Sequence, residues 1–124
     1  MSNWKSDELA RLGRAEEVHI ASHRRDGTLR KPVTIWAVLH GDGLYVRSVK
    51  GRDSAWFRGS QDTREGRIRG GGLERDVTFE PADPALESEI DDAYRNKYRR
   101  YAGRILNSVL TPPAKSSTLK LLPR

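Results

Sequence analysis

Three glycine-bearing turns cut the middle of this chain into short segments, and their spacing constrains the fold more than any other feature. Asp26-Gly27, Gly41-Asp42-Gly43 and Gly70-Gly71-Gly72 supply the positive-φ positions that tight hairpins need. The segments between them carry strand character. Glu17 to His23 alternates, with Val18 and Ile20 on one face and His19, Ala21 and His23 on the other. Leu29 to His40 is rich in β-branched and aromatic residues with apolar side chains on both faces, which predicts a central strand covered on both sides. Pro32 cannot donate a ladder hydrogen bond, so it belongs at that strand's start or on an unpaired edge. Leu44 to Val49 is the returning partner. Thr63 to Arg69 and Leu73 to Glu80 form a third hairpin, and Ser117 to Leu122 a last strand.

Helical signals lie outside the hairpins. Ser6 to Ala15 reads as a short helix, with Leu9 and Leu12 on one face. Asp53 is placed to cap a helix over Ser54 to Arg58, with Gly59 ending it. Asp83-Pro84 starts a long helix whose stripe runs Leu86, Ile90, Tyr94, Tyr98, Tyr101 and Ile105, before Pro112-Pro113 closes the helical region. Its early turns are acidic and its later turns basic, as the helix dipole favours. The expected architecture is therefore mainly β with flanking helices: a six-stranded antiparallel barrel in which 124 residues make one domain, 1–124.

Absent residues narrow the chemistry. Without cysteine there is no disulfide, thiolate metal site or cysteine nucleophile, which fits a cytoplasmic setting. His19 and His23, four apart on a strand, stand roughly 13 Å from each other, too far to share a metal. No run approaches the length of a membrane helix, and the polar start Met1 to Lys5 reads as no signal peptide. Residues 11–75 hold fourteen Lys/Arg against eight Asp/Glu, which accounts for the net charge of +6 and favours anionic partners.

The charge concentrates at one strand-to-helix corner, Arg47-Ser48-Val49-Lys50-Gly51-Arg52-Asp53-Ser54-Ala55-Trp56-Phe57-Arg58. Gly51 permits a sharp turn and a close approach, Lys50 and Arg52 flank it, and Ser48 adds a hydroxyl donor. A helix start there would add free N–H groups and a partial positive charge, so the corner suits a phosphate. The hairpin at Gly41-Asp42-Gly43 brings Arg30-Lys31-Pro32-Val33-Thr34-Ile35-Trp36 beside it. Lys31 and Thr34 could then reach the same ligand, while Trp36 is either a stacking surface for a planar ring or part of the core. The triple glycine lacks the Lys-Ser/Thr of a phosphate-binding loop and reads as a turn.

Lys31-Pro32-Val33-Thr34, Leu44 to Gly51, and Ser54-Ala55-Trp56-Phe57 together resemble the split β-barrel flavin-binding superfamily, the pyridoxamine-phosphate-oxidase-like fold. The pattern is most similar to the deazaflavin-dependent nitroreductase branch, within a small bacterial group of unassigned function. That branch has a basic-Pro strand start, a Ser-Lys-Gly turn and a short helix bearing Trp before an aromatic residue. The resemblance implies a six-stranded split barrel. It implies that Lys31, Ser48, Lys50, Gly51 and Arg52 hold phosphate, with Arg47, Pro32 and Trp56 in the same site. Val33, Thr34 and Trp36 would lie along the flavin ring. It further implies FMN or a deazaflavin coenzyme, a homodimer with the cofactor near the subunit interface, and oxidoreductase chemistry. The chain departs from the nitroreductases at Arg52-Asp53, where they usually carry a Gly-Pro-rich insertion. No general acid stands out; Tyr98 and Tyr101 are the nearest candidates. Two other readings stay open: a small basic nucleic-acid-binding module and a cofactor-free dimeric structural domain.

Overall fold

All three glycine turns fold as hairpins in the computed structural model, which describes residues 4–124. The polar start at residues 1–3 lies outside the described residues. In chain order the elements are α1 (Ser6–Arg14), β1 (Val18–Ser22), β2 (Val33–Ile35), β3 (Ala37–His40), β4 (Gly43–Val46) and α2 (Ala55–Thr63). There follow β5 (Glu65–Gly70), β6 (Leu73–Pro81), α3 (Glu87–Lys97), α4 (Arg104–Asn107), α5 (Pro112–Ser116) and β7 (Leu119–Pro123). Gly41 at φ 59° lets His40 pair with Gly43 across a two-residue turn, and Gly71 at φ 58° does the same for Gly70 and Leu73.

The sheet is antiparallel, ordered β2-β1-β5-β6-β7-β4-β3. Its end strands, β2 and β3, are consecutive in the chain and separated by Trp36 alone. A flat sheet could not place them so, which means the sheet curls until its two ends nearly meet. This is a split barrel of seven strands rather than six. The extra strand comes from the predicted strand Leu29–His40, which breaks at Trp36. Val33–Ile35 pairs with β1, while Ala37–His40 pairs with β4. Pro32 sits just before β2, where its missing N–H costs nothing.

Two apolar clusters follow from strand parity. Val18, Ile20, Leu44, Val46, Ile68, Val77, Phe79 and Leu121 fill the barrel. Val38 and Tyr45, one residue out of phase on β3 and β4, pack outward against Ile90, Tyr94 and Tyr98. The segment Leu29–His40 is therefore not the central strand its residues predicted: β2 and β3 are the two ends of the sheet, and only the β3 part has α3 on one side and the barrel interior on the other.

Helix boundaries moved for identifiable reasons. Ser54, not Asp53, caps α2, its Oγ accepting from the Phe57 N–H; Gly51–Asp53 is a short 3-10 turn. Gly59 does not end α2 but lies within it, where a Cβ would meet Ser22 Oγ at 2.5 Å. The predicted helix from Asp83 breaks three times. Asp83 and Pro84 start a 3-10 turn, α3 stops at Lys97, and Gly103 at φ 105° precedes the short α4. Pro112 and Pro113 open α5, capped by Thr111, rather than closing a helix.

Candidate functional site

A cavity of about 640 Å³ opens where the two ends of the sheet diverge. One wall is Val33, Thr34 and Ile35 of β2 with Trp36. Facing it are Ser48, Val49 and Lys50 after β4, then Ser54, Ala55 and Trp56 at the start of α2. Ile105 of α4, with Ser108 and Val109, forms the third side, and Glu17 and Asp53 supply carboxylates. Most of this lining is apolar, and the first N–H groups of α2 have no partner within the helix.

The sequence-predicted residues divide into three groups. Val33, Thr34, Trp36, Ser48, Lys50 and Trp56 do come together on the lining, with Arg47 beneath it. Gly51 underlies the corner. Its φ of 68° and the Pro113 carbonyl oxygen, 2.9 Å from where a Cβ would sit, leave room for glycine only. Lys31, Pro32 and Arg52 are not on the lining. Lys31 is exposed, Pro32 borders a small groove beside His19 and Arg69, and Arg52 turns to the other side, its Nε donating to the Ser116 carbonyl at 3.1 Å.

Arg47 departs most from its expected role. Its side chain is fully buried and bonded on every side. Nη1 donates to Asp91 Oδ1 at 2.6 Å and to the Val109 carbonyl at 3.0 Å, while Nε donates to Thr118 Oγ1 at 2.9 Å. Nη2 reaches the Glu87 carbonyl at 3.3 Å, and Lys115 Nζ holds the second Asp91 oxygen at 3.1 Å. An arginine committed in this way fastens the strand end to α3 and α5 instead of offering charge to a phosphate. The Ser48 hydroxyl is likewise engaged, donating to Ser54 Oγ at 2.7 Å. Lys50 is therefore the one cation of the predicted set that lines the cavity with no ion pair or side-chain hydrogen bond among the described residues.

Trp36 takes both predicted parts. One face stacks on Tyr98, with centroids 3.9 Å apart and planes within 4°, yet the residue still lines the cavity. Tyr98 is buried, and its hydroxyl reaches the Glu16 and Ala37 carbonyls at 3.0 and 3.3 Å; burial pushes that hydroxyl well above the ordinary phenol range. Tyr101 bonds the Glu16 carboxylate. Neither tyrosine lines the cavity, so neither fits the proton-donor role suggested for it. Beside them Lys97 donates to the Ala37 carbonyl at 2.6 Å, and burial pushes its amine down to about 8.

Ile105, Ser108 and Val109 were missed, because a continuous helix would have carried them away from the corner. Gly103 was the available signal. Several of the arginines are also held in ion pairs, Arg25 with Asp62, Arg67 with Asp76, Arg75 with Glu8, Arg100 with Glu16 and Arg124 with Glu65, which leaves the net charge of +6 unchanged. No helix among the described residues is long and apolar enough to cross a membrane.

A family model described as an uncharacterized protein conserved in bacteria, DUF2255, matches residues 8–121. No curated protein matches the sequence. Solved structures similar in fold include a Listeria innocua protein provisionally named pyridoxamine 5′-phosphate oxidase. It is 13% identical, with TM-score 0.62 over 95% of this chain and 90% of that one. A structure named F420 reductase is 19% identical, with TM-score 0.53 over 93% and 90%. A pyridoxamine 5′-phosphate oxidase-related, FMN-binding protein from Nostoc punctiforme is 14% identical, with TM-score 0.53 over 100% and 81%. At these identities the likeness establishes the fold alone, a split β-barrel.

Proposed function

The chain belongs to the bacterial family DUF2255, and we propose that it binds a flavin-type cofactor, FMN or a deazaflavin coenzyme, in the cavity between β2, the β4–α2 corner and α4. The observation that carries this reading is the lining itself. A cavity of about 640 Å³ with a Trp-bearing apolar wall and Lys50 on its lining suits a planar ring with a phosphate tail. The volume falls within the roughly 300–1,000 Å³ of small-molecule sites. Val33, Ile35, Trp36 and Trp56 would flank the ring, while Lys50 and the first N–H groups of α2 would take the phosphate. The fit to a bound cofactor is thus good for the ring and rests on few groups for the phosphate. Two proteins of similar fold support it, one named as FMN-binding and the other as an F420 reductase.

Hydride or electron transfer would be the cofactor's contribution, making the protein a flavin-type oxidoreductase. The chain would bind the ring, exclude water with Trp36, Trp56 and Ile105, and hold the phosphate end. We extend the reading to residues 1–124 acting as one domain in a cytoplasmic, cysteine-free setting. It includes a homodimer, because Val49 and Ile105 are 54% and 57% exposed on the cavity rim and a second copy would cover them. Sedimentation should give a dimer for wild type and a monomer for Ile105→Asp; a monomeric wild type removes the dimer from the proposal.

The phosphate assignment is tested by comparing FMN with riboflavin, which lacks the phosphate. Wild type should prefer FMN by at least about tenfold, a difference of about 1.4 kcal/mol. Lys50→Ala should erase most of that preference while leaving riboflavin binding unchanged. An undiminished preference in Lys50→Ala contradicts the assignment.

A further inference from the structure

A second cavity, of about 490 Å³, lies on the opposite side of the corner, bounded by the end of α2, the β6–α3 connection and the α5–β7 junction. Phe57, Ile90 and Leu119 give it an apolar wall of buried side chains. Three cations line it, and they are not equivalent. Lys115 is committed to Asp91. Arg52 uses Nε on the Ser116 carbonyl, leaving its terminal nitrogens. Arg64 has no ion pair or side-chain hydrogen bond among the described residues.

Arg64 is also the one non-glycine residue in the described chain with positive φ, at 59°. It occupies the left-handed position that ends α2, where glycine or asparagine is favoured and an ordinary side chain is strained. Its backbone is fixed from both sides. The N–H donates to the Ser60 carbonyl at 3.0 Å, and its own carbonyl accepts from the Phe79 N–H at 2.9 Å. Helix termination alone would be better served by glycine, so the arginine needs another reason to be there. Binding supplies one, because the constrained backbone keeps Arg64 on the cavity lining, where its side chain has no ion pair or hydrogen bond among the described residues.

We propose that this cavity is a second ligand site, for a small molecule with an apolar body and a single carboxylate-type charge. Arg64 and the terminal nitrogens of Arg52 take the anion, and Phe57, Ile90 and Leu119 take the body. Asp83 and Glu87 also line the space and offset two of its three cationic charges, which matches a ligand with one negative charge. The site is separate from the proposed cofactor cavity and does not depend on that reading.

Two-dimensional amide NMR on the whole chain, titrated with phenylbutyrate and with uncharged phenylbutanol, tests this. Phenylbutyrate should shift amides around Arg64, Ala82, Ser116 and Leu119, leave Val33 to Trp36 unmoved, and bind at least tenfold more tightly than phenylbutanol. Arg64→Gly should weaken phenylbutyrate binding at least tenfold without lowering the melting temperature, since glycine suits the positive φ. No saturable shift, shifts confined to the first cavity, equal binding of the alcohol, or undiminished binding by Arg64→Gly would each overturn the proposal.

Discussion

Arg47 follows the parity of Tyr45, two residues earlier, and therefore leaves the sheet on the side that α3 covers. Removing a guanidinium from water costs several kcal/mol unless its charge and donors are matched, and here Asp91 and three oxygen acceptors match them. Lys97 is matched less completely. It has a carbonyl acceptor but stays partly desolvated, so its proton leaves near pH 8 in the folded chain against an ordinary 10.5. Between those values the unfolded chain binds more protons, and stability rises with pH. Tyr94 and Tyr98 act in the opposite sense. Their hydroxyls are pushed up by burial, so stability falls once unfolded tyrosines ionise above about pH 10. Urea midpoints should climb from pH 8 toward 10 in wild type and then drop, while Lys97→Met loses the climb. A flat wild-type profile across that window would count against a desolvated Lys97.

At the level of elements, close approach rather than propensity decides where glycine is indispensable. Gly66 of β5 lies against β1, and a Cβ there would meet the Ala21 carbonyl oxygen at 2.2 Å and the Phe79 ring at 2.8 Å. Backbone on a paired strand cannot yield, so Gly66→Ala should destabilise by about 3 kcal/mol or more in urea unfolding. Gly41→Asn is the control. It has positive φ, which asparagine tolerates, and nothing lies within 4 Å of its Cβ position, so its midpoint should barely move. The hairpins themselves were readable, because Gly41-Asp42 and Gly71-Gly72 state their turn chemistry locally. The break at Trp36 was not, since every residue from Val33 to His40 suits a strand and only the curl of the sheet divides them. The late helix was over-extended for a related reason. Its stripe persists through Tyr101, and the departure at Gly103 depends on docking that no local pattern records. Val33, Thr34 and Trp36 do share a cavity lining with Ser48 and Lys50, but through the curl of the sheet and not through the hairpin pairing the sequence predicted, since Val33–Ile35 pairs with β1; Arg47, Arg52 and Lys31 could be oriented only once the packing of α3 and α5 was known.

For the molecule as a whole, the curl of the sheet creates the candidate site. β2 and β3 end the ladder at opposite edges, Trp36 joins them, and the gap between them is lined by the corner after β4 and closed by α4. The net charge of +6 indicated an anionic partner, yet the folded chain spends much of its cationic surface on ion pairs. Lys50 stands at an apolar cavity, and that placement is the basis of the cofactor reading. Fluorescence titration of the purified wild-type chain with FMN and, separately, with the deazaflavin coenzyme tests this most directly. Saturable binding of at least one of them is predicted, at one cofactor per chain and micromolar affinity or tighter, about 8 kcal/mol, with tryptophan emission changing as Trp36 and Trp56 meet the ring. Absence of saturable micromolar binding by both would contradict the cofactor assignment.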